Sequence, residues 1–139
     1  MGQFSWDAGY SVDVALIDAQ HQQLFSLINQ VADAVENLKC AEAVDVILPK
    51  LVNYTGYHFD EEESRMNQLG YPEAAQHRAQ HEAFKAKLDE LSVHARNADV
   101  SERAAATLDM LTFLNDWLVQ HIGAVDKKLG AFLRENGVR

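Results

Sequence analysis

A chain of 139 residues suits one domain with a sizeable core, and 47% hydrophobic with 24% charged residues is ordinary for a soluble globular protein. Its net charge of −9 argues against nucleic acid and anionic membranes as partners. Cys40 is the only cysteine, so an intrachain disulfide is excluded and a cytoplasmic location is expected; the opening MGQFSWDAGYSVDV does not read as a signal peptide, and no apolar run is long enough to cross a membrane.

Residues 1–15 carry Phe4, Trp6 and Tyr10 and are too aromatic for a free tail, so they are expected to pack as an arm. Ile17, His21, Leu24, Ile28, Val31 and Val35 recur at spacings of four and three, which predicts a helix over about 18–37. A second helix is expected over 43–68, with Leu51, Tyr54, His58, Glu62 and Met66 on one face and Pro49 bending it or marking its true start. Gly70-Tyr71-Pro72 breaks the chain, and Pro72 is placed to open a third helix over 73–96, with His77, His81, Phe84, Leu88 and Leu91 on its stripe. After a short loop, Ser101 is a good N-cap for a fourth helix over 101–135, carrying Thr107, Leu111, Leu114, Leu118, His121 and Val125. Four helices with short connections imply an all-α, up-down-up-down antiparallel bundle in a single domain over 1–139.

The stripes carry the chemistry. Five of the six histidines, His21, His58, His77, His81 and His121, lie on apolar faces of four different helices, together with Glu62 and Asp126. One buried histidine is readily a core residue bonded to a carbonyl. Five need a shared partner, because imidazole and carboxylate groups are costly to desolvate alone. His77 with His81, and His58 with Glu62, are at i and i+4 and project from one face, so each pair can hold one ion. Imidazole with carboxylate suits iron, manganese or zinc, and a carboxylate can bridge two ions. Two points stay open on spacing alone. Glu61 and Glu62 both lie near the face of His58. Asp126 lies roughly 140° from His121 on a regular helix and shares its face only if one turn is widened.

In order, Ile17-Asp18-Ala19-Gln20-His21, His58-Phe59-Asp60-Glu61-Glu62, His77-Arg78-Ala79-Gln80-His81 and Trp117-Leu118-Val119-Gln120-His121-Ile122 with Asp126 resemble the hemerythrin family in its single-domain bacterial form. Trp6-Asp7 and Tyr10-Ser11-Val12 are similar to that family's arm. The resemblance implies two iron ions that bind dioxygen reversibly and share an oxo or hydroxo bridge. It assigns His77, His81 and His121 to one iron, His21 and His58 to the other, and Glu62 and Asp126 to both. The first iron then has six ligand atoms and the second five, so the uneven split leaves one octahedral position for O2. The resemblance also places Phe59, Trp117, Leu118 and Ile122 at the O2 pocket, an apolar wall with no general acid.

Gln20, Gln80 and Asn115 are candidates to accept from the outer imidazole N–H groups. His94 is expected to be exposed, Cys40 inert, and Asp60-Glu61-Glu62-Glu63 a solvated face with one member turned inward. The chain is read as a monomeric carrier or store and not an enzyme. A di-iron oxidase or peroxidase is an alternative, but such sites draw on more carboxylates than are present here. The other alternative is an O2 or redox sensor acting on a signalling or O2-consuming partner in trans.

Overall fold

The computed structural model describes residues 5–139, which form four helical rods running up, down, up and down. The first rod is α1 (Ala15–Glu36). The second runs through α2 (Cys40–Glu42), a π-wound stretch (Ala43–Ile47) and α3 (Leu48–Leu69). The third is α4 (Ala74–Asn97). The fourth is α5 (Val100–Gln120), a second π-wound stretch (His121–Asp126) and α6 (Lys127–Glu135). Contacts of α1 with α3, α3 with α4, α4 with α5 and α5 with α1 close the bundle. No helix among the described residues is long and apolar enough to cross a membrane.

Each rod turns its apolar stripe inward. Leu24, Ile28, Val31, Leu51, Phe59, Phe84, Leu88, Met110, Leu114 and Leu118 merge into the main core. Burying one such side chain stabilises by roughly 1.5–3 kcal/mol, so these residues fix the rod rotations and the direction in which the histidines point. The first turn after α3 is set by Gly70, whose φ of 69° is the left-handed cap conformation; Tyr71 N–H then donates back to Met66 O at 2.9 Å.

Helix starts differ from the sequence expectation where the arm and loops intervene. α1 begins at Ala15, ahead of Asp18, because Asp18 turns back to hold the arm: Ser11 Oγ and Val12 N–H donate to its two carboxylate oxygens at 2.5 and 2.8 Å. α5 starts at Val100, where the Asp99 carbonyl accepts from the N–H groups of Glu102 and Arg103, so Ser101 lies inside the first turn and is not its cap. The π-wound stretch at Ala43–Ile47 has no sequence counterpart in our reading. It sits just before Pro49, which has no N–H to donate and whose ring would clash with a carbonyl four residues back. There the Leu48 N–H reaches five residues back, to Ala43 O.

The arm packs as expected for its described part; Phe4 lies outside the described residues. Tyr10 meets Phe25 edge-on at 5.2 Å. Val12 and Val14 join Ile17, Met66, Tyr71, Leu129 and Leu133 in a second core cluster. Gly130 permits this crossing, since a Cβ there would stand 2.6 Å from Val12 O. Arg134 Nη1 then donates to the Val12 carbonyl.

Candidate metal centre

All seven sequence-predicted ligands meet in the bundle interior, each nearly or fully buried. His21 comes from α1, His58 and Glu62 from α3, His77 and His81 from α4, and His121 and Asp126 from the second π-wound stretch. Of the two glutamates near the His58 face, Glu62 is the one turned inward; Glu61 is half-buried beside Arg65. The π winding brings Asp126 onto the same centre as His121.

The two carboxylates divide their oxygens in the same sense. Glu62 Oε1 lies 3.4 Å from His77 Nε2 and 3.1 Å from His81 Nε2. Asp126 Oδ1 lies 3.2 Å from His77 Nε2 and 3.0 Å from His121 Nε2. The other oxygens face the other histidines: Asp126 Oδ2 is 3.0 Å from His21 Nε2, and Glu62 Oε2 is 3.4 Å from His58 Nε2. The result is two ligand groups, Glu62 with His77, His81, His121 and Asp126, and His21 with His58, Glu62 and Asp126.

Two observations test these groups against metal ions. Both oxygens of Glu62 and of Asp126, and the Nε2 atoms of His21, His77, His81 and His121, are buried without a hydrogen-bond partner. Leaving one such group unpaired costs about 1–3 kcal/mol, so a site with this many is not explained by packing. The N···O spacings also fit: ligands held about 2.1 Å from one ion, at right angles, stand about 3 Å apart.

The electrostatics of the protein groups point the same way. Burial and the charge of Asp126 push the Glu62 carboxyl up to about 8. Burial also works against ionising Asp126, but the charges of the adjacent His121, His21 and His77 imidazoles hold it well below the usual carboxylate range. Burial opposes protonating His77, yet the carboxylates of Asp126 and Glu62 beside it raise it to about 9; His21 is raised by Asp126 against the same penalty. His58 falls to about 3 and His81 to about 2, through burial and then the neighbouring histidines. Positive charge is thus favoured at this spot, in the form of protons on some histidines or of cations.

Outer contacts fix the rings. The Nδ1–H of His58 donates to Gln20 Oε1 at 2.6 Å, and that of His121 to Gln80 Oε1 at 3.1 Å. Of the three acceptors considered from sequence, Asn115 makes no such contact; its Oδ1 is buried and unpartnered. His81 Nδ1–H instead donates to Glu63 Oε2 at 3.0 Å, and Arg78 Nε holds Glu63 Oε1 at 3.3 Å. The sequence places Glu63 in a solvated acidic face. Nothing local marks it, because its partner sits on another rod. Phe59 stacks on His81, with centroids 3.7 Å apart and planes 5° from parallel, and Trp117 stacks on His121 at 4.1 Å and 15°. His94 is exposed and outside the centre.

Beside His21 and His58 lies a small, mostly apolar cavity whose volume, about 10 Å³ for the centre of a water-sized sphere, suits one very small molecule. Phe59, Trp117 and Leu118 line it, as do Phe84, Leu114 and Thr55. Ile122 is not on this wall. It is fully buried in the main core, one residue beyond His121 and turned about 100° from it. Thr55, one turn before His58, is the non-ligand polar side chain on the wall, and its hydroxyl donates to Leu51 O at 2.8 Å.

Comparison with known proteins agrees with this geometry. Residues 12–133 match the family model described as "Hemerythrin HHE cation binding domain". A bacteriohemerythrin of Methylococcus capsulatus (strain Bath) is 32% identical over 136 residues, 96% of this chain and 98% of that protein. A myohemerythrin of Sipunculus nudus is 33% identical, over 90% of this chain and 89% of its own. A crystal structure of wild-type hemerythrin superposes with a TM-score of 0.78 at 32% identity, covering 95% of this chain and 98% of that one.

Proposed function

The chain belongs to the hemerythrin family, and from that premise we propose that it binds dioxygen reversibly at a non-haem di-iron centre, as a carrier or store and not as an enzyme. The carrying observation is the division of the carboxylate oxygens between a three-histidine group and a two-histidine group, with the apolar cavity beside the latter. His77, His81 and His121 would hold one iron and His21 and His58 the other, bridged by Glu62 and Asp126 together with an oxo or hydroxo group. Two iron ions so held supply reversible electron donation to dioxygen.

The remaining work falls to the protein's own side chains. Gln20, Glu63 and Gln80 hold imidazole rings with Nε2 pointing inward. Phe59, Trp117 and Leu118 form the wall of the O2 pocket and exclude water, and Ile122 supports that wall from the core behind it. No acid beyond the ligands themselves is on the wall, and the Thr55 proton is engaged by Leu51 O, so nothing there delivers a proton to a bound ligand. That favours binding over oxidase or peroxidase turnover. We read residues 1–139 as one such domain, with 1–15 as its arm, acting as a cytoplasmic monomer.

The test is spectroscopic. The protein is loaded with ferrous iron without air, mixed with O2, and then deoxygenated. A visible band that appears, persists for minutes and disappears on removing O2, over repeated cycles, is expected. Immediate decay with consumption of a co-substrate would replace the carrier reading with an enzymatic one.

A further inference from the structure

Of the five inward histidines, His121 alone is covered, among the described residues, by a stacked ring that also meets solvent. Phe59 lies flat on His81 but is itself only 1% exposed. Trp117 lies on His121 with centroids 4.1 Å apart and planes 15° from parallel, and it is half-buried. The same indole lines the inner cavity, with Phe84 and Leu114, and an outer groove, with Gln80, Gln120, Ala124 and Val125. His121 is 3% exposed, so a molecule in the groove meets mostly indole and little imidazole.

This ring is fixed. Besides His121 it packs on Phe84 with centroids 4.2 Å apart, and on Phe59 at 5.8 Å. His121 is pinned in turn, its Nδ1–H donating to Gln80 Oε1 while Nε2 faces Asp126 Oδ1 at 3.0 Å. A door for a gas has to swing, and a ring packed between other rings swings poorly. A fixed stack does suit electron transfer. Tunnelling falls steeply as the gap between donor and acceptor widens, and a packed aromatic contact carries it better than water or empty space. The stack also leads to the right atoms, since His121 belongs to the three-histidine group.

We propose that Trp117 is the entry point for electrons that return an oxidised centre to the ferrous state. The proposal rests on the di-iron reading above: a carrier left with Fe(III) has to be reduced before it binds O2 again. Two molecules of a one-electron organic donor each give up one electron, both Fe(III) become Fe(II), and an oxo bridge that turns hydroxo takes its proton from water. No bond in the indole forms or breaks; Trp117 conducts from the groove to the His121 ring and is left unchanged. No Asp, Glu, Lys or Arg lines the groove, and the net charge of −9 favours a cationic donor.

The probe is the methyl viologen radical cation, mixed without air with air-oxidised, iron-loaded protein, and the readout is the rate at which its colour is consumed. Trp117→Leu is expected to slow reduction at least fivefold, and Trp117→Phe, which keeps a smaller ring on the stack, by less. A ring that is only wall predicts the opposite sign, because a shorter side chain uncovers His121 and lets the donor come closer. Tyr57→Leu, at a ring that is 52% exposed and stacked on no histidine, is expected to leave the rate unchanged. Iron content is measured on every variant, so a lost centre shows as missing iron and not as iron reduced at an altered rate; Trp117→Met, which fills more of the space, replaces Trp117→Leu if that variant loses iron. A second readout needs no iron. In Trp6→Phe protein loaded with redox-silent zinc, Trp117 is the one remaining indole. The oxidised viologen dication is expected to quench its fluorescence within a few-fold of its effect on a free tryptophan amide. Equal or faster reduction in Trp117→Leu, or an indole that the dication does not quench, would overturn the proposal and leave Trp117 as wall alone.

Discussion

His121 Nε2 and Asp126 Oδ1 stand 3.0 Å apart although the residues are five positions apart in sequence. A regular helix would point them roughly 140° apart. The π winding closes that gap, with Lys127 N–H bonded to Ile122 O five residues back. Removing one residue should restore ordinary winding with the ligands four apart and still on one face. Deletion of Ala124, which is exposed, is therefore expected to leave two irons per chain. Insertion of one alanine after Ala124 is expected to lose at least one. Metal analysis of the two purified variants checks this, and a folded deletion variant without iron would refute it.

Removing the metal should destabilise the whole bundle. Glu62, Asp126 and four histidines would keep buried atoms without partners, at about 1–3 kcal/mol for each unpaired group. Part of that is recovered by protonation. We expect chelation to lower Tm by about 10 °C or more, taking roughly 4 °C per kcal/mol for a chain of this size. His77→Ala and His81→Ala should each lose iron and show the same drop. His94→Ala, at an exposed position, should change neither iron content nor Tm. Calorimetry with iron quantitation on each variant decides.

The cavity wall and the core behind it should respond differently to a buried charge. Leu118 lines the cavity and Ile122 does not. Leu118→Glu is expected to speed oxidation of the ferrous, oxygenated protein at least tenfold, because a carboxyl there can carry protons into a dry pocket. Ile122→Glu is expected mainly to lower stability, by about 3 kcal/mol or more, through an unpaired buried charge. Oxidation rate and denaturant midpoint measured on the same samples separate the two. A faster oxidation rate only in Ile122→Glu would move the O2 pocket to the other side of that helix.

Glu63 is expected to matter for metal retention although it touches no ligand-facing atom. Its carboxylate takes the outer proton of His81 and is itself held by Arg78. Glu63→Ala should weaken iron binding by about 10–100-fold, and Glu63→Gln by less, since an amide oxygen still accepts. Competition against a chelator of known affinity gives the numbers, and equal loss in both variants would mean that charge, and not the hydrogen bond, is what counts.

The seven inward groups were legible in sequence because a polar residue on an apolar stripe is conspicuous at helical spacing. The same reasoning found the need for a widened turn before Asp126, since the angle between five consecutive residues is fixed by helix geometry. Glu63 was not legible. It neighbours Glu62 in an acidic run, and its role depends on α4 bringing His81 and Arg78 beside it. Thr55 did carry a signal, one turn from His58, but a threonine that bonds its own helix carbonyl looks like ordinary packing. The cavity wall divided along the same line. The side chains nearest in sequence to the ligands suggested four wall residues, yet rotation about the helix sends Ile122 into the core and brings Leu114 and Phe84 to the cavity.

The bond from Arg134 to the Val12 carbonyl joins residues 122 apart in sequence. The arm and the part of the last rod that it packs on therefore meet only when the two ends of the bundle's sequence are brought together. Leu129 and Leu133 share a buried cluster with Val12 and Val14. Such a closure is the slowest kind to form, because nearly the whole chain is the loop that must be closed. A bundle that has not yet made this closure lacks the packing of Val12 and Val14 on the rod that carries His121 and Asp126.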